Sequence, residues 1–459
     1  MFALSVWVFL AFSIADGGFQ MGERYAWLPQ LGITLHLAID GIAGPMVLLT
    51  GIVIFCAALV SLKVTRRVKD YFILLFVLVG GVYGTFMSLD LFFLFFFYEI
   101  AVLPMYQLIG IWGSSTDFGS FKRTKEYGAM KLTLVLVAGS VPVWVGIIAT
   151  FLQANAGAAV PSMDLLFLQT VHYPREFQLW FYPCFMIGFG ILAGLFPFHT
   201  WSPDGHVAAP TAVSMLHAGV LMKLGAFGII RVAMALFPEG AAAWMPLLLV
   251  LATINVLYGA LSALGQTDLK YVIGYSSVSH MGYVLMGFAS MSVTGVNGAV
   301  LQMFSHGVMT ALFFTLVGVV YDQAHTRLIA AFGGLAKQTK AVAVGFALAG
   351  LASLGLPGLS GFVAEFLIFV GLFERYPFFG VLGICGAAIT AVYILRLLAT
   401  AFFGPVNPRW ADLHGPNRTE ALAAAVLCGA IIAVGVAPSL LMSSISVGVA
   451  PLMAAVLRG

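Results

Sequence analysis

The chain has 459 residues, of which 8% are charged and 61% are hydrophobic, and its mean hydropathy is +1.03. A soluble protein carries roughly 25% charged residues, and here too few polar groups exist to cover the apolar surface. The composition therefore predicts a protein solvated by lipid. It excludes a nucleic-acid binder, a secreted disulfide scaffold and a disordered regulator. The net charge of +3 gives no information about an acidic partner.

Apolar segments long enough to cross a bilayer recur along the whole chain. A spanning helix needs about 20 apolar residues, and breaks at charges and at Gly/Pro clusters separate thirteen candidates. These segments are 1–15, 41–62, 71–88, 90–112, 130–153, 178–203, 209–236, 244–264, 270–290, 296–320, 339–374, 378–403 and 420–444. We therefore predict an all-α polytopic membrane protein with about thirteen transmembrane helices, the first of them short and retained.

Two segments contain helix-breaking residues, around Pro197 and around Pro357. Because proline lacks a backbone donor and glycine tolerates unusual dihedral angles, both segments are predicted to be broken helices. Interrupted segments at matching places in two halves are typical of inverted-repeat transporters. The predicted organisation has N-terminal helices, a first five-helix repeat, a second five-helix repeat, and a C-terminal helix with a tail. Their bounds are 1–70, 71–236, 244–403 and 404–459.

Basic residues are concentrated in one set of alternate loops. Thirteen lie in that set and four in the opposite loops and the tail, which predicts the orientation by the positive-inside rule. The thirteen are Lys63, Arg66, Arg67, Lys69, Lys122, Arg123, Lys125, Lys270, Arg327, Lys337, Lys340, Arg409 and Arg418. We call the side that they occupy the basic face. The C-terminus is expected on the opposite, outer side.

Three ionisable residues fall well inside apolar segments: Glu99, Lys223 and Glu365. Charges at membrane depth are costly and usually mark a transport pathway, although a snorkelling side chain or an interhelical salt bridge is the alternative. Lys131 lies at the basic end of its helix. It could snorkel there or begin a proton path.

Histidines form a second set of candidates. A neutral imidazole can accept and pass on a proton near pH 7, but a buried histidine is also a common packing residue. The hydroxyl-rich run at 275–280 favours a hydrated file on one helix. The candidate histidines are His217, His280 and His306 inside the membrane and His325 near the basic face.

The four cysteines each stand alone in an apolar run, without a CxxC motif or a Cys/His cluster. This pattern provides no ligand set for an iron–sulfur cluster, a haem or zinc. We expect neither a redox centre nor a metal in this chain. The cysteines are Cys56, Cys184, Cys385 and Cys428.

Several motifs resemble those of the antiporter-like membrane subunits of respiratory complex I. They are FYEIAVLPMY at 97–106, WSPDGH at 201–206 with APT at 209–211, LHAGVLMK at 216–223 and YSSVSHMG at 275–282. The resemblance covers nearly the whole chain and is closest to the M subunit, the type of mitochondrial subunit 4. Subunits of Mrp antiporters and of membrane-bound hydrogenases are related.

The resemblance implies a fold of 14 helices with two inverted five-helix bundles, whose half-channels are joined by a hydrated polar axis. In that pattern Glu99 matches the glutamate of the fifth helix, Lys223 the lysine of the eighth and Glu365 the acidic residue of the twelfth. His306 and His325 match histidines on and after the eleventh helix. The implied function is proton translocation in a translocase of the NADH:quinone oxidoreductase type.

Redox chemistry in other subunits, which hold flavin, iron–sulfur clusters and quinone, would drive this translocation. The expected partners are other antiporter-like membrane subunits and lipid. The expected location is the plasma membrane of a prokaryote, with multiple passes.

Two departures from the family pattern stand out. Residue 1 falls inside the family's second helix, so we expect thirteen helices and not fourteen. Leu192 stands where the family has the lysine that pairs with the fifth-helix glutamate. The sequence therefore leaves two alternatives to a pumping complex I subunit: a subunit of an Mrp-type antiporter or hydrogenase, and a structural spacer that does not pump.

Overall fold

The computed structural model describes residues 1–117, 122–157, 160–410 and 412–458, and most of them are helical. The helices are α1 (Phe2–Ala11), α2 (Ala43–Ser61), α3 (Val68–Met87), α4 (Leu91–Trp112), α5 (Lys125–Ala154), α6 (Leu165–Leu168), α7 (Arg175–Ala193), α8 (Trp201–Ala208), α9 (Thr211–Leu216), α10 (Met222–Gly228), α11 (Pro238–Leu264), α12 (Leu269–Ala289), α13 (Val293–Ala324), α14 (Leu335–Gln338), α15 (Lys340–Ser353), α16 (Ser360–Arg375), α17 (Pro377–Leu397), α18 (Arg418–Val436) and α19 (Ser439–Arg458). The π-helical turn His217–Leu221 joins α9 to α10, and a second π-helical turn, Ile229–Met234, continues α10. Together they form one segment, Thr211–Met234.

Within the described residues, 11 helical segments are long and apolar enough to cross a membrane. Helix α12 is not among them, because its hydroxyl groups and His280 lower its hydropathy. The pieces of the second broken helix are too short individually, and α1 has only 10 residues. The predicted number of thirteen transmembrane helices is therefore not confirmed.

Both predicted helix breaks are present. Helix α7 ends at Ala193, and the chain passes Pro197 before a short 3₁₀ turn leads into α8. Helix α15 ends at Ser353 and α16 begins at Ser360, with Pro357 between them. Proline and glycine thus interrupt the helices where the sequence predicts it.

Asn255 of α11 supplies the hydrogen bonds that the first break removes from the backbone. This fully buried side chain donates from Nδ2 to the carbonyl oxygen of Gly194 at 2.8 Å. Its Oδ1 accepts from the backbone N–H of Phe196 at 2.5 Å. Polar backbone inside a membrane protein must be satisfied internally, and here one amide side chain satisfies two groups.

The C-terminal region differs from the prediction of a single last helix at 420–444, which is wrong. Helix α18 ends at Val436 and α19 begins at Ser439. Pro438 disfavours a helical conformation for the residue before it and lacks a donor of its own. The apolar composition continues across this point, so hydropathy alone joins the two helices. The Ser444 hydroxyl of α19 then donates to the carbonyl oxygen of Gly41 at 3.3 Å.

An antiparallel hairpin between α1 and α2 is not anticipated by the sequence analysis. It consists of β1 (Gln20–Leu28) and β2 (Ile33–Ile39), and a second short pair, β3 (Thr116–Asp117) and β4 (Lys122–Arg123), lies on the basic face. Asp90 caps α4 and also accepts the N–H of Thr34 at 3.0 Å. Asp164 accepts from His36 at 2.8 Å. Two buried aspartates therefore anchor the hairpin.

The centre of the bundle is formed by α13 and the segment Thr211–Met234, both of which are buried over almost their whole length. They approach closely at Gly219 and Gly307. A Cβ atom on Gly307 would lie 2.7 Å from the carbonyl oxygen of Gly219, so only glycine permits this spacing. The contact aligns the middle of the two helices.

We predict that Asn255→Leu destabilises the protein by about 3 kcal/mol, because it leaves two buried backbone groups unpaired. Thr253→Val is the matched control: Thr253 is buried on the same helix, but its hydroxyl bonds within that helix, to Leu249. Thermal unfolding of the purified protein in detergent measures the difference. Equal melting temperatures for the two variants would contradict the role of Asn255.

A second prediction concerns Asp90, which lies outside the spanning helices. Burial raises the pKa of its carboxyl group to about 6, despite backbone N–H groups that favour the charged form. The pKa is higher in the folded than in the unfolded state, so the stabilisation is fully present below about pH 4 and is lost as the pH rises through 6. The rise in the pKa of Asp90 to about 6 corresponds to a change of at most about 3 kcal/mol in the free energy of unfolding.

Amide hydrogen exchange in the hairpin, corrected for intrinsic exchange rates, should therefore show stronger protection at acidic than at neutral pH. Asp90→Asn should remove this dependence, because an amide does not titrate. Asp70→Asn, at an exposed aspartate paired with Arg67, should leave it unchanged. The same pH dependence in the Asp90→Asn variant would show that another group is responsible.

Candidate functional site

Lys223 is the thirteenth residue of the 24-residue segment Thr211–Met234, and its side chain is fully buried. One π-helical turn ends at Leu221, two residues before it, and another begins at Ile229. Such turns are frequent at functional sites. The Lys223 ammonium donates to the carbonyl oxygen of Ala218 within the first of these turns.

A chain of polar side chains runs from Lys223 to Glu365. The Lys223 ammonium lies 2.7 Å from Nδ1 of His306, and the His306 and His280 ring centroids are 5.4 Å apart. His280 Nδ1 lies 3.4 Å from the Glu365 carboxylate. Gln302 bridges the last two, with its amide nitrogen 3.2 Å from His280 and 3.3 Å from Glu365. All five side chains are at least nine-tenths buried.

His217 lies at the other end of this chain, stacked against His206. Their ring centroids are 3.8 Å apart, and Trp201 stacks on His217 at 5.2 Å. Both rings are fully buried, and among the described residues neither has a hydrogen-bond partner for its nitrogens. Buried polar atoms are nearly always hydrogen bonded, to protein or to water, so these rings point to water molecules beside Lys223.

Lys131 pairs with Asp204, at 2.7 Å, and not with Glu99. Asp204 is buried in α8, two residues before His206, and also accepts from Arg123 and from Tyr271. This cluster closes the basic end of the first half. Arg123 and Asp204 were not selected as candidates from the sequence, although Asp204 lies within the quoted WSPDGH motif.

The Glu99 carboxylate accepts a hydrogen bond from the Ser140 hydroxyl, which also lies 3.1 Å from the hydroxyl of Tyr98. Within the part of the chain that the structure describes, no basic side chain lies within 4.0 Å of it. Leu192 is buried in the core of α7. Among the described residues, the partner of Glu99 is therefore one hydroxyl group, that of Ser140, and not a cation.

The remaining candidate, His325, caps the end of α13 at the basic face, where its side chain is exposed. The structure does not bring it to the buried chain. Conversely, Gln302, Ser353 and Asn255 belong to the polar interior but were missed. A single amide or hydroxyl in an apolar helix was the available signal, and it is weak.

No group of three or more His, Cys, Asp or Glu side chains among the described residues is arranged to hold a metal ion. The four cysteines are free and separate. The functional groups of the interior are therefore an amine, imidazoles, carboxylates, amides and hydroxyls. Such a set can bind and exchange protons along hydrogen bonds.

A broken-helix bundle with a buried lysine, histidines and a glutamate in series defines a transporter-like membrane subunit. Residues 88–390 match the family described as "NADH:quinone oxidoreductase/Mrp antiporter, TM". The chain belongs to this family, and the resemblance inferred from its motifs is confirmed.

The curated relatives are of the chain 4 type. NAD(P)H-quinone oxidoreductase chain 4 3 of Picosynechococcus sp. is 39% identical over 419 residues, which cover 89% of this chain and 74% of the relative. NAD(P)H-quinone oxidoreductase chain 4 of Acaryochloris marina is 36% identical over 452 residues, covering 96% and 82%. These relatives support the predicted subunit-4 type.

Solved structures share the fold. A chain of respiratory complex I from Thermus thermophilus with bound NADH is 27% identical, with a TM-score of 0.89, and the match covers 98% of this chain and 93% of that chain. A chain of the Mrp complex from Dietzia sp. has a TM-score of 0.83 at 20% identity, covering 99% and 92%. The predicted all-α polytopic membrane fold is confirmed.

Proposed function

We propose that this chain is a proton-translocating, antiporter-like membrane subunit of a complex I-like NADH:quinone oxidoreductase. The observation that carries the proposal is the buried series of side chains from Lys223 through His306 and His280 to Glu365. It joins the two broken-helix halves at mid-membrane depth, and every step is short enough for a hydrogen bond or for one bridging water.

The electrostatics of this series favour coupled proton movement. An ammonium in a fully apolar interior is costly unless its charge is shared or lost. A proton that leaves Lys223 for His306 removes this charge, and the proton can then pass to Glu365 and neutralise a second one. Movement along the axis therefore links the charge of the first half to that of the second.

In this proposal the chain itself carries no redox centre, and it assembles with other antiporter-like membrane subunits. Flavin, iron–sulfur clusters and quinone would be held by partner subunits, whose redox chemistry drives the protons. The expected location is the plasma membrane of a prokaryote, with the C-terminus on the outer side. The two repeats would occupy 71–236 and 244–403.

Lys131 and Asp204 would form part of the uptake route on the basic face, beside the His206–His217 pair. Glu99 would serve the first half through Ser140, and His325 would lie at the surface of the basic face, close to solvent. These roles would connect the buried series from Lys223 to Glu365 with the ionisable residues around it.

Two alternatives are distinguishable. The fold is shared with Mrp complexes, so an Mrp-type antiporter or hydrogenase subunit is the second transport candidate; the composition of the purified complex separates it. The other alternative is a structural spacer whose first half does not pump. It is favoured by the hydroxyl partner of Glu99 and by the buried Leu192. Proton flux measured in reconstituted complex tests that alternative.

We predict that Lys223→Ala abolishes the protons translocated by this subunit while assembly and electron transfer remain, because the series loses its only ammonium. The measurement is the proton-to-electron ratio of the complex in proteoliposomes. Lys69→Ala, at an exposed lysine of the basic face, is the control. An unchanged ratio in Lys223→Ala would refute transport along this axis.

We predict further that Glu99→Gln changes proton transport and stability little. A carboxyl group among apolar and hydroxyl neighbours is most stable in its neutral form when no cation is close, and glutamine keeps the acceptor for Ser140. The same reconstituted assay, with melting temperature as a second reading, measures this. A large loss of transport would mean that Glu99 works as an anion and that a partner subunit supplies the cation.

A further inference from the structure

A cavity of about 130 Å³ opens on the basic face beside the second half of the protein. It lies between the loop joining α11 to α12, the loop after α13, and the end of α17. Lys270, at the start of α12, and Arg327, in the loop after α13, belong to the basic residues that define this face. The polar side chains that line the cavity are Gln266, Thr267, Tyr393, Arg396 and Thr400.

Tyr393 is the deepest polar group of this lining, and its side chain is only 3% exposed. Its hydroxyl donates to Oγ of Ser276 on α12 at 2.7 Å. The same hydroxyl lies beside the side chain of Ser353, the last residue of α15. The rest of the lining is largely apolar, and Tyr393 separates the cavity from two buried hydroxyl groups.

The hydroxyl groups lead directly to the end of the buried series. Oγ of Ser353 lies 2.9 Å from Nε2 of His280. The opposite nitrogen of that ring, Nδ1, faces the Glu365 carboxylate at 3.4 Å. A connected path of proton-bearing groups thus runs from the cavity to Glu365.

The depths of these groups increase in order along the path. Ser276 lies seven residues into α12, about 10 Å from its basic end, and His280 lies about 16 Å from it, at 1.5 Å per residue. The hydrocarbon core of a membrane is about 30 Å thick. The path therefore spans the half of the membrane between the basic face and the polar axis.

We propose that the second half takes up protons from the basic face through this cavity, with Tyr393 as the group that receives them. Tyr393 gains a proton from cavity water as it releases its own to the hydroxyl of Ser353. In the tautomer of His280 that carries its proton on Nδ1, the Ser353 hydroxyl passes a proton to Nε2 and Nδ1 delivers its own to Glu365. The amide nitrogen of Gln302, which lies 3.2 Å from Nδ1, must turn away for this step. Every intermediate group gains one proton and loses one, so Glu365 gains the proton that the cavity water gives up, and no other group of the protein changes charge.

This inference rests on the proposed proton transport and adds a second uptake route, separate from Lys131 and Asp204 in the first half. The alternative for Tyr393 is a purely structural one, in which its hydroxyl only ties α17 to α12. A structural role predicts changes in stability alone. A relay predicts changes in the solvent isotope effect and in the pH dependence of transport.

The test uses the whole complex that contains this chain, reconstituted in proteoliposomes. Tyr393→Phe removes the hydroxyl and keeps the ring, whereas Tyr182→Phe is the matched control, since Tyr182 is buried far from the axis with its hydroxyl on Met245. Ser353→Ala removes the next member, and Ser353→Thr restores a hydroxyl. The readings are the proton-to-electron ratio, the rate in D₂O relative to H₂O, and the melting temperature.

We expect Tyr393→Phe and Ser353→Ala to lower the ratio to the value of Glu365→Gln, with an altered isotope effect, and Ser353→Thr and Tyr182→Phe to retain the normal ratio. Normal transport in both Tyr393→Phe and Ser353→Ala, with Lys223→Ala defective, would overturn the uptake route alone. Normal transport in all three variants would instead overturn the proposed function.

A second approach does not depend on the folding of the tyrosine variant. Thr267→Cys places a thiol in the cavity, and a charged, membrane-impermeant thiol reagent added at the basic face should block uptake. The unmodified chain treated with the same reagent is the control. Complete labelling of Thr267→Cys without loss of transport would contradict the route.

Discussion

The structure depends on the close approach of two buried helical segments at Gly219 and Gly307. This contact sets the Lys223 ammonium against His306, so a charge that the lipid would exclude finds a partner inside the protein. An ammonium buried alone would be strongly unfavourable. His306 and, in the π-helical turn, the carbonyl oxygen of Ala218 accept hydrogen bonds from this ammonium.

The same constraint explains both broken helices. Interrupting a helix inside the membrane frees backbone groups, which must find partners within the protein. Asn255 supplies them at the first break. At the second, the backbone N–H groups of Gly355 and Leu356 donate to Ala352 and Leu351. The side chains of Ser353 and Ser360, on either side of the break, hydrogen bond to His280 and to Ser305. Each break thus places polar groups at mid-membrane depth, and the second feeds directly into the buried series.

The two halves are not equivalent in charge. In the second half Glu365 lies beside His280 and Gln302, whereas in the first the Glu99 carboxylate accepts from the Ser140 hydroxyl and has no basic side chain within reach among the described residues. A carboxylate without a cation beside it can take part in proton transfer only if a neighbouring subunit supplies the cation or a neutral relay takes over. The second uptake route, through Tyr393, offers the complex a path that bypasses the first half.

The sequence by itself determined the lipid environment, most of the helices, both breaks and the buried ionisable residues, because hydropathy, proline and charge act locally. Its motifs also indicated the family. It did not determine the hairpin. It also did not determine the division between α18 and α19, because apolar composition continues across Pro438. Only the tertiary structure decided the partners: Lys131 with Asp204, Glu99 with Ser140, and Gln302 between His280 and Glu365. Those pairings join residues from 22 to 73 positions apart, and such contacts depend on how helices pack, which no local pattern encodes.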